Sequence, residues 1–288
     1  MTSIITKIRR RVEKDFRPKK LAVGAKRLDL VSAQVADVLH LIGENGKYPL
    51  KGKNCLEIGS GWVLSHSLIF WVLGAKKVVA TDIAPVARPY VLKRAINAAI
   101  DSYIRDILAP FEDHGELRKR VAKLNSIESF DEQTLKEMGI EYQAPVDLAK
   151  EKPRGDFDFI FSNSVMEHVP VDDALPLLKN LNDCLNKGGK MVHRIHLEDH
   201  SSIAKDPFKF LATPLKDYPR AKQTELGNRI RTSEWKRIFG ELEGSVSSSF
   251  FEYVRSEKPV PSTIDSSIVY TDEDDLKSSN VGMLTVKL

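Results

Sequence analysis

Two groups of residues have the types and spacing that chemistry requires: a glycine turn with nearby carboxylates around residue 60, and histidines with neighbouring acids between residues 167 and 200. In the first group, Gly59 and Gly61 directly follow residues 54–58, where apolar and polar side chains alternate. Glycines allow the backbone to turn sharply and to approach a ligand that a Cβ atom would block. The apolar run 63–73 predicts a helix, so these residues form the first half of a nucleotide-binding βαβ unit.

A second short strand, predicted over residues 77–81, leads directly into Asp82. This carboxylate lies 21 residues beyond Gly61, where doubly wound folds place an acid for the hydroxyls of a ribose. Leu64 stands where the G-x-G-x-x-G pattern has its third glycine, and the turn lacks the Lys-Ser/Thr of a P-loop. The spacing therefore predicts a nucleotide-type site that follows neither of these two patterns in full.

Residues 156–164 are predicted to form a central strand, because their near-continuous apolar core is what a parallel strand buried on both faces requires. Glu167 and His168 follow this strand. His168 could act as a general base, since an imidazole with a pKa of about 6.5 is suited to deprotonating a hydroxyl. The alternative is that Glu167 and His168 cap a helix and line a cofactor pocket. His196, near the end of the strand predicted over 190–197, is the second predicted catalytic residue.

No metal site is predicted from the histidines after the later strand. Side chains alternate along a strand, so His193 and His196 should point to opposite faces and make a poor shared ligand set. His196, Asp199 and His200 could still converge in the following loop, as ligands or as polar contacts to an acceptor. Contacts to the acceptor are the favoured interpretation.

Arg229 and Arg231 form the other concentrated polar group. Their guanidinium groups could hold a phosphate or carboxylate through paired hydrogen bonds. The alternative is that they lie at the solvated start of a helix predicted over residues 229–239, around Trp235.

The composition is that of an ordinary globular protein: 288 residues, of which 42% are hydrophobic and 29% charged. No apolar run reaches the roughly 18 residues that a membrane span requires, and no secretory signal is visible. Cys55 and Cys184 have the character of buried thiols in a reducing compartment. A cytoplasmic location is therefore expected.

The net charge of +4 is concentrated at one end, because residues 1–27 contain ten Lys and Arg against two acids. Basic and aromatic residues do not alternate as they do on surfaces that stack nucleic acid bases, so no nucleic acid partner is expected. Residues 2–17 are predicted to form an amphipathic helix. This helix either associates weakly with an anionic membrane surface or packs on the domain with its charges solvated.

The remaining elements are predicted from hydrophobic periodicity and from turn residues. An amphipathic helix over 28–42 is expected to lead into the fold and to cover the cofactor site. The others are a helix over 86–99, helical insertion material over 101–138, a third strand and loop over 141–148, a helix over 172–185 capped by Asp172 and Asp173 and ended at Gly188-Gly189, antiparallel strands over 246–254 and 283–288, and a loop over 256–280.

Three motifs carry a resemblance to a known family. They are E-I-G-S-G at residues 57–61, F-D-F-I-F-S-N-S-V-M-E-H-V at 157–169, and L-N-K-G-G before the strand at 190–197. Together they resemble the small-molecule branch of the class I S-adenosylmethionine-dependent methyltransferases. The resemblance covers roughly residues 50–200, and the two ends of the chain match nothing specific.

The resemblance implies roles for particular residues toward S-adenosylmethionine. Glu57, Gly59 and Gly61 would hold the methionine part, Asp82 the ribose, and Asp147 the amino group of the adenine. The resemblance also implies a cofactor contact for Asn163, at the end of the fourth strand. The alternative for Asp147 is that it is a loop aspartate at the surface.

The expected fold is α/β: a doubly wound, seven-stranded, mostly parallel sheet of the Rossmann-like methyltransferase type. Residues 1–45 are expected to supply N-terminal helices that cover the site, and 46–288 the methyltransferase domain, with an insertion at about 101–140. The expected reaction is methyl transfer to a small or medium acceptor, such as a sugar or an envelope-polysaccharide precursor. The alternatives are an inactive binding module and an NAD-dependent oxidoreductase, which the missing third glycine disfavours.

Overall fold

A computed structural model describes residues 27–288 of the chain. The helix predicted over residues 2–17 lies outside the described residues. The described residues contain seven strands: β1 Asn54–Ile58, β2 Lys77–Thr81, β3 Ile140–Gln143, β4 Phe157–Asn163, β5 Leu185–His196, β6 Ser245–Val254 and β7 Ser278–Lys287. The first, second and fourth strands lie where the sequence predicts them.

The seven strands form one mixed sheet in the order β3-β2-β1-β4-β5-β7-β6. The pairings β1–β2 and β2–β3 are parallel, with Asn54 opposite Lys77 and Val78 opposite Ile140. β7 is antiparallel to both β5 and β6. In this order β2 and β3 lie on one side of β1, and the later strands lie on its other side. The sheet is therefore doubly wound, as expected.

The α-helices of the described residues are α1 Arg27–Leu41, α2 Ser65–Val72, α3 Pro89–Asn97, α4 Asp101–Leu108, α5 His114–Ser126, α6 Glu132–Glu137, α7 Val171–Asp183, α8 Arg220–Leu226, α9 Thr232–Gly240 and α10 Glu273–Leu276. None of these helices is both long and apolar enough to cross a membrane.

The chain divides into two compact units. The first contains the described residues up to Asp147 together with Phe157–Phe159, and the second contains Leu148–Asp156 with Ile160–Leu288. The glycine turn and the predicted acids therefore belong to the first unit, and the histidines after β4 and β5 to the second.

Helix α1 buries an apolar stripe in the first unit, at the positions that the periodicity predicts. It packs against α2 and α4. Each fully buried aliphatic side chain of this kind contributes roughly 1.5–3 kcal/mol to the free energy of unfolding. The buried stripe consists of Leu28, Val31, Val35, Val38 and Leu39, and it continues with Ile42 directly after the helix.

The predicted insertion is helical and forms α4, α5 and α6. Two of these helices begin at capping aspartates. Asp113 accepts hydrogen bonds from the N–H groups of Gly115 and Glu116, and Asp131 accepts one from Thr134. Such caps satisfy N–H groups that have no partner within the helix.

The boundary between α7 and β5 differs from the prediction. Asp172 and Asp173 lie in the first turn of α7, and the N-cap is Pro170. In that turn their negative charges still favour the helix N-terminus. The helix ends at Asp183, and Gly188 and Gly189 lie within β5. The prediction was wrong here because a glycine pair fits an irregular strand as well as a helix end.

Three further boundaries differ from the predictions. α3 begins at Pro89, three residues later than predicted, because proline is suited to the first helical position. β7 begins at Ser278, five residues earlier than predicted. The segment predicted as a loop contains α10, whose cap Asp272 accepts a hydrogen bond from the N–H of Asp275. The acidic run is therefore the start of a short helix, where negative charge is favourable.

Candidate functional site

The turn after β1 combines three residues with positive φ. Gly59 and Gly61 have φ of 67° and 63°, and Leu64 has φ of 49°. Leu64 thus adopts, at the third position of the G-x-G-x-x-G spacing, the left-handed conformation in which glycine is ordinarily favoured. A Cβ atom added to Gly61 would meet no atom within 4 Å. The backbone at Gly61 is therefore open to a ligand.

Asp82 lies directly after β2 and contacts this turn. Its Oδ2 accepts a hydrogen bond of 3.0 Å from the N–H of Gly61, and its Oδ1 accepts one of 3.0 Å from Ala84. Burial raises the pKa of the carboxyl above its usual value, although both hydrogen bonds oppose this change. The carboxylate offers further lone pairs to ligand hydroxyls.

Backbone hydrogen bonds connect the ends of the first three strands. The N–H of Ser60 donates to the carbonyl of Thr81 at 2.9 Å, and that of Asp82 to Gln143 at 3.2 Å. The N–H of Val146 donates to the carbonyl of Asp82 at 2.9 Å. The half-buried Asp147 is the next residue, so the loop that carries it is held beside Asp82.

Glu57 is 1% exposed and contacts the first turn of α2. One carboxylate oxygen lies 2.9 Å from Nδ1 of His66, and the other accepts a hydrogen bond of 2.9 Å from the N–H of Ser67 and one from its hydroxyl. These contacts fix the start of α2 after the turn. The role of Glu57 toward the methionine part of a cofactor stays a prediction.

The sequence reasoning missed an apolar patch beside Asp82. Trp62 packs against the buried Ala84 and Val86. The hydroxyl of Tyr142 accepts from the N–H of Val86 at 3.0 Å and donates to the carbonyl of Ala84 at 3.3 Å, so β3 fixes this loop. The sequence signal for this patch is that Trp62 directly follows Gly61.

A groove of about 1040 Å³ also lies in the first unit. Trp62, Arg88 and Tyr142 contribute to its lining. None of the site residues predicted from the sequence lines this groove, so it is not assigned to the cofactor.

The first unit brings together three features beside the glycine turn. The Asp82 carboxylate is fixed by backbone N–H groups, the backbone at Gly61 is accessible, and Trp62 packs on an apolar patch. These features come from three separate loops, yet the hydrogen bonds described above hold them together.

In the second unit, β4 ends at Asn163 and is followed by Ser164 with φ of 54° and a 3₁₀ turn at Met166–His168. The side-chain amide of Asn228 donates to the carbonyl groups of Met166 and Val169 at 2.9 and 2.8 Å. The turn that carries Glu167 and His168 is therefore held from both ends.

Glu167 is 1% exposed, and burial raises its pKa to about 8. The backbone N–H groups of Glu167 and His196 favour its charged form, but neither carboxylate oxygen has a hydrogen bond of standard geometry. Oε1 lies 3.9 Å from Nε2 of His200. A buried carboxylate in this state is unusual, because burial of a charge is costly without strong partners.

The two predicted catalytic histidines lie in one cluster in the second unit. The ring of His200 packs edge-to-face on His168 at 4.6 Å and on His196 at 5.1 Å between ring centroids. Nδ1 of His168 lies 3.0 Å from the carbonyl oxygen of Thr224. A carbonyl only accepts, so Nδ1 carries the hydrogen and Nε2 carries the lone pair.

His196 has a carboxylate partner. Its Nε2 lies 3.2 Å from Oε2 of Glu198, and Oε1 of Glu198 accepts a hydrogen bond of 2.8 Å from Arg255. Burial lowers the pKa of His196, whereas Glu198 and Asn280 oppose this effect. The arrangement orients the imidazole and leaves it neutral near pH 7.

His193 and Asp199 lie outside this cluster. His193 is fully buried, with Nδ1 2.6 Å from the hydroxyl of Ser162, and burial lowers its pKa to about 3. His193 and His196 therefore have separate surroundings, as the alternation of the strand predicts. Asp199 accepts hydrogen bonds from the N–H and hydroxyl of Ser201, so it stabilises the loop and does not join His196 and His200.

Neither interpretation of Arg231 was correct. The side chain is fully buried and lies just before α9. It donates to the carbonyl of Leu197 at 2.8 Å, to those of Asp275 and Leu276 at 3.3 Å, and to that of Ser278. All of its partners are backbone carbonyls, so Arg231 joins the chain after β5 to the start of β7 and is not open to an anion.

Arg229 has a similar structural role. It is 6% exposed and donates to the carbonyl groups of Phe210 and Thr213 at 3.3 and 2.5 Å. Its guanidinium lies 4.0 Å from the ring centroid of Tyr218, a favourable cation–π distance. It was therefore wrong to place Arg229 on a solvated helix or in an anion clamp.

The chain is similar in sequence to a known protein family. The family model described as "Methyltransferase domain" matches residues 13–243. No curated protein shows significant sequence similarity to the chain.

Several solved structures resemble the chain at low sequence identity. One is magnesium protoporphyrin IX methyltransferase ChlM from Synechocystis PCC 6803 with bound SAH, with 14% identity, 100% of this chain and 95% of that chain covered, and a TM-score of 0.46. Another is DhpI in a SAM–HEP complex, with 13% identity, coverage of 96% and 90%, and a TM-score of 0.41. A third is TehB from Haemophilus influenzae, with 14% identity, coverage of 88% and 61%, and a TM-score of 0.43.

The family assignment rests on the sequence match, which spans more than half of the chain and includes β1 through α9. The chain therefore belongs to the methyltransferase-domain family, as an S-adenosylmethionine-dependent methyltransferase.

Proposed function

We propose that the first unit holds S-adenosylmethionine through the turn at Gly59 and Gly61, with Asp82 accepting hydrogen bonds from the ribose hydroxyls. The observation that carries this proposal is the pair of hydrogen bonds that fix the Asp82 carboxylate beside the open backbone of Gly61. Fixed acceptors bind a diol without a further loss of side-chain freedom. Asp147 would accept from the adenine amino group, in a loop that is bonded to Asp82.

Two other predicted cofactor contacts remain part of the proposal. Glu57 would act on the methionine part chiefly by fixing the start of α2, since its oxygens already bind His66 and Ser67. Asn163 lies at the carboxyl end of β4, the end of the strand at which open α/β sheets bind ligands.

When bound, the cofactor supplies a methyl group that an acceptor oxygen or nitrogen takes as the carbon–sulfur bond breaks and the sulfur keeps the electron pair. A hydroxyl acceptor must also lose its proton to a base. His196 suits that role, because it is neutral near pH 7 and Glu198 stabilises the imidazolium that would form. His168 is the second predicted catalytic residue and belongs to the same cluster.

The acceptor that we propose is a small or medium molecule with a hydroxyl or amine group. A sugar or an envelope-polysaccharide precursor is the class to examine first. The basic segment 2–17 would place the enzyme weakly on an anionic membrane surface where such precursors are made. A cytoplasmic location is part of the same proposal.

A methyl-acceptor screen with radiolabelled S-adenosylmethionine tests this function. An acceptor should be methylated by the full chain, and His196→Asn should lower kcat by about 100-fold or more, the usual contribution of a general base. The dissociation constant for S-adenosylhomocysteine should stay unchanged in this variant, because His196 is not a proposed cofactor contact.

His114→Asn is the matched control, since His114 is an exposed histidine on α5. It should not change kcat. Equal rates for His196→Asn and the wild type would contradict the role of His196, and no transfer to any acceptor by a chain that binds the cofactor would favour the inactive binding module.

A further inference from the structure

Three groups of metal-ligand type lie close together in the histidine cluster of the second unit. Glu167, His168 and His200 each place one ligand atom within 4.8 Å of the other two. The residues come from two segments, the 3₁₀ turn after β4 and the loop after β5. One carboxylate and two imidazoles are the donor types of zinc sites and of related transition-metal sites.

From this convergence we propose that Glu167, His168 and His200 bind one divalent transition-metal ion, for which zinc is the representative. The donor set favours zinc over magnesium or calcium, because those two ions prefer oxygen ligands.

Glu167 supplies the first argument. Its side chain is almost fully buried, and neither carboxylate oxygen has a hydrogen bond of standard geometry. Buried carboxylates in folded proteins are paired, hydrogen-bonded or bound to metal ions. A bound cation would provide the strong partner for both oxygens.

His168 supplies the second argument. Its Nδ1 donates to the carbonyl oxygen of Thr224 at 3.0 Å, which leaves the lone pair on Nε2. Metal-binding histidines ordinarily donate their second ring nitrogen to a carbonyl or carboxylate in this way, because the bond fixes both the tautomer and the ring orientation. The asparagine contacts that hold the 3₁₀ turn keep the ring in place.

The separation of Glu167 and His200 supplies the third argument. Oε1 and Nε2 are 3.9 Å apart, which is too long for a hydrogen bond. Two ligands that each lie about 2.1 Å from one zinc ion are at most about 4.2 Å apart. The separation of Oε1 of Glu167 and Nε2 of His200 therefore leaves room for one ion between them.

His196 is not part of the proposed ligand set. Its Nε2 lies 3.2 Å from Glu198, which also binds Arg255. With three protein ligands the ion would keep an open position, as catalytic zinc sites do. An acceptor hydroxyl bound at this open position would lose its proton more readily. This role of the ion in deprotonation rests on the proposed function, whereas binding of the ion does not.

Titration with cobalt(II) tests the site, because cobalt replaces zinc and its visible absorption reports the coordination. The full chain, freed of metal with a chelator, should bind one cobalt ion, and zinc should displace it. Glu167→Gln and His200→Asn should each weaken binding by about 100-fold or more, since even the loss of an indirect partner costs 10–100-fold.

Two variants serve as controls. His114→Asn removes an exposed histidine of α5 and should leave cobalt binding unchanged. His196→Asn removes the nearest histidine outside the ligand set and should also leave the spectrum unchanged. Glu167→Gln alters a buried position, so thermal unfolding of each variant in the presence of chelator checks that it folds. His200 is half-buried, and His200→Asn therefore provides a second test of the same site.

Absence of cobalt binding, or equal affinity in wild type, Glu167→Gln and His200→Asn, would overturn the proposal. Loss of binding in His196→Asn but not in His200→Asn would also overturn this ligand set. Titration with S-adenosylhomocysteine separates the two proposals: a chain that binds this ligand but no cobalt contradicts the metal site alone.

Discussion

Leu64 occupies a backbone conformation that ordinarily belongs to glycine. Its φ is 49°, and its side chain is 1% exposed. The left-handed conformation costs a residue with a side chain roughly 1–2 kcal/mol, while burial of the leucine contributes roughly 1.5–3 kcal/mol. The sequence could show that the third glycine is missing, but only the structure shows that its conformation is retained.

Two substitutions at Leu64 separate these contributions. Leu64→Ala should lower the free energy of unfolding by about 2–5 kcal/mol, because it leaves a cavity. Leu64→Gly should be more stable than Leu64→Ala by about 1 kcal/mol, since glycine tolerates positive φ without strain. Denaturant titration measures both values.

Leu68 provides the matched control within α2, the helix that follows Leu64, and its side chain is fully buried. There the order should be reversed, with Leu68→Gly less stable than Leu68→Ala by about 1 kcal/mol. The same order at both positions would contradict the strain assigned to Leu64.

Among the individual residues, the position of Asp82 could be predicted from the sequence, whereas the contacts of Glu57 could not. Asp82 follows from strand length and from its spacing to Gly61, which are properties of the chain. The bonds of Glu57 to His66 and Ser67 depend on the direction in which α2 leaves the turn. The cluster around His200 depends in the same way on how two loops fold.

Among the elements, a buried arginine joins the chain after β5 to the start of β7. Arg231 donates to backbone carbonyls on both sides of this connection, at Leu197 and at Ser278. Burial lowers the pKa of its guanidinium to about 10, which leaves it charged near neutral pH. Sequence patterns identify the strands but do not indicate which arginine is buried between them.

Replacement of Arg231 by methionine should destabilise the protein strongly. The methionine keeps much of the volume but removes the side-chain donor from four carbonyl groups, and each buried acceptor that is left unsatisfied costs about 1–3 kcal/mol. We expect the free energy of unfolding to fall by at least about 3 kcal/mol in a denaturant titration.

Arg237→Met is the matched control. Arg237 lies on α9, with a side chain that is 60% exposed and paired with Glu234 and Glu241. Its replacement should leave the free energy of unfolding nearly unchanged, because exposed ion pairs contribute little. Similar losses for both variants would contradict the structural role of Arg231.

Element boundaries were predictable where the periodicity was strong. β1, β2 and the buried stripe of α1 agree with the sequence analysis, since alternation and helical spacing identify them directly. The end of α7 was not predictable, because Gly188 and Gly189 are compatible with a helix end and with an irregular strand. The start of β7 was placed too late because its first residues are polar yet buried.

For the whole molecule, the order of strands and the family follow from a few short motifs, whereas the acceptor does not. The glycine turn, Asp82 and the β4 motif lie in the part of the chain that the family shares. The residues around His196, Glu198 and Arg255 come from loops and from the final strands, and their arrangement appears only in three dimensions. Acceptor choice depends on such loops.

The most direct test of the account is calorimetric titration of the full chain with S-adenosylhomocysteine and, separately, with NAD. S-adenosylhomocysteine should bind at one site per chain and NAD should not bind. Asp82→Ala should weaken the binding by about 1–3 kcal/mol, the scale for loss of a charged hydrogen-bond partner. Asp106→Ala, at an exposed acid of α4, should not change it. Binding of NAD alone, or an unchanged dissociation constant in a folded Asp82→Ala variant, would contradict the proposed cofactor site.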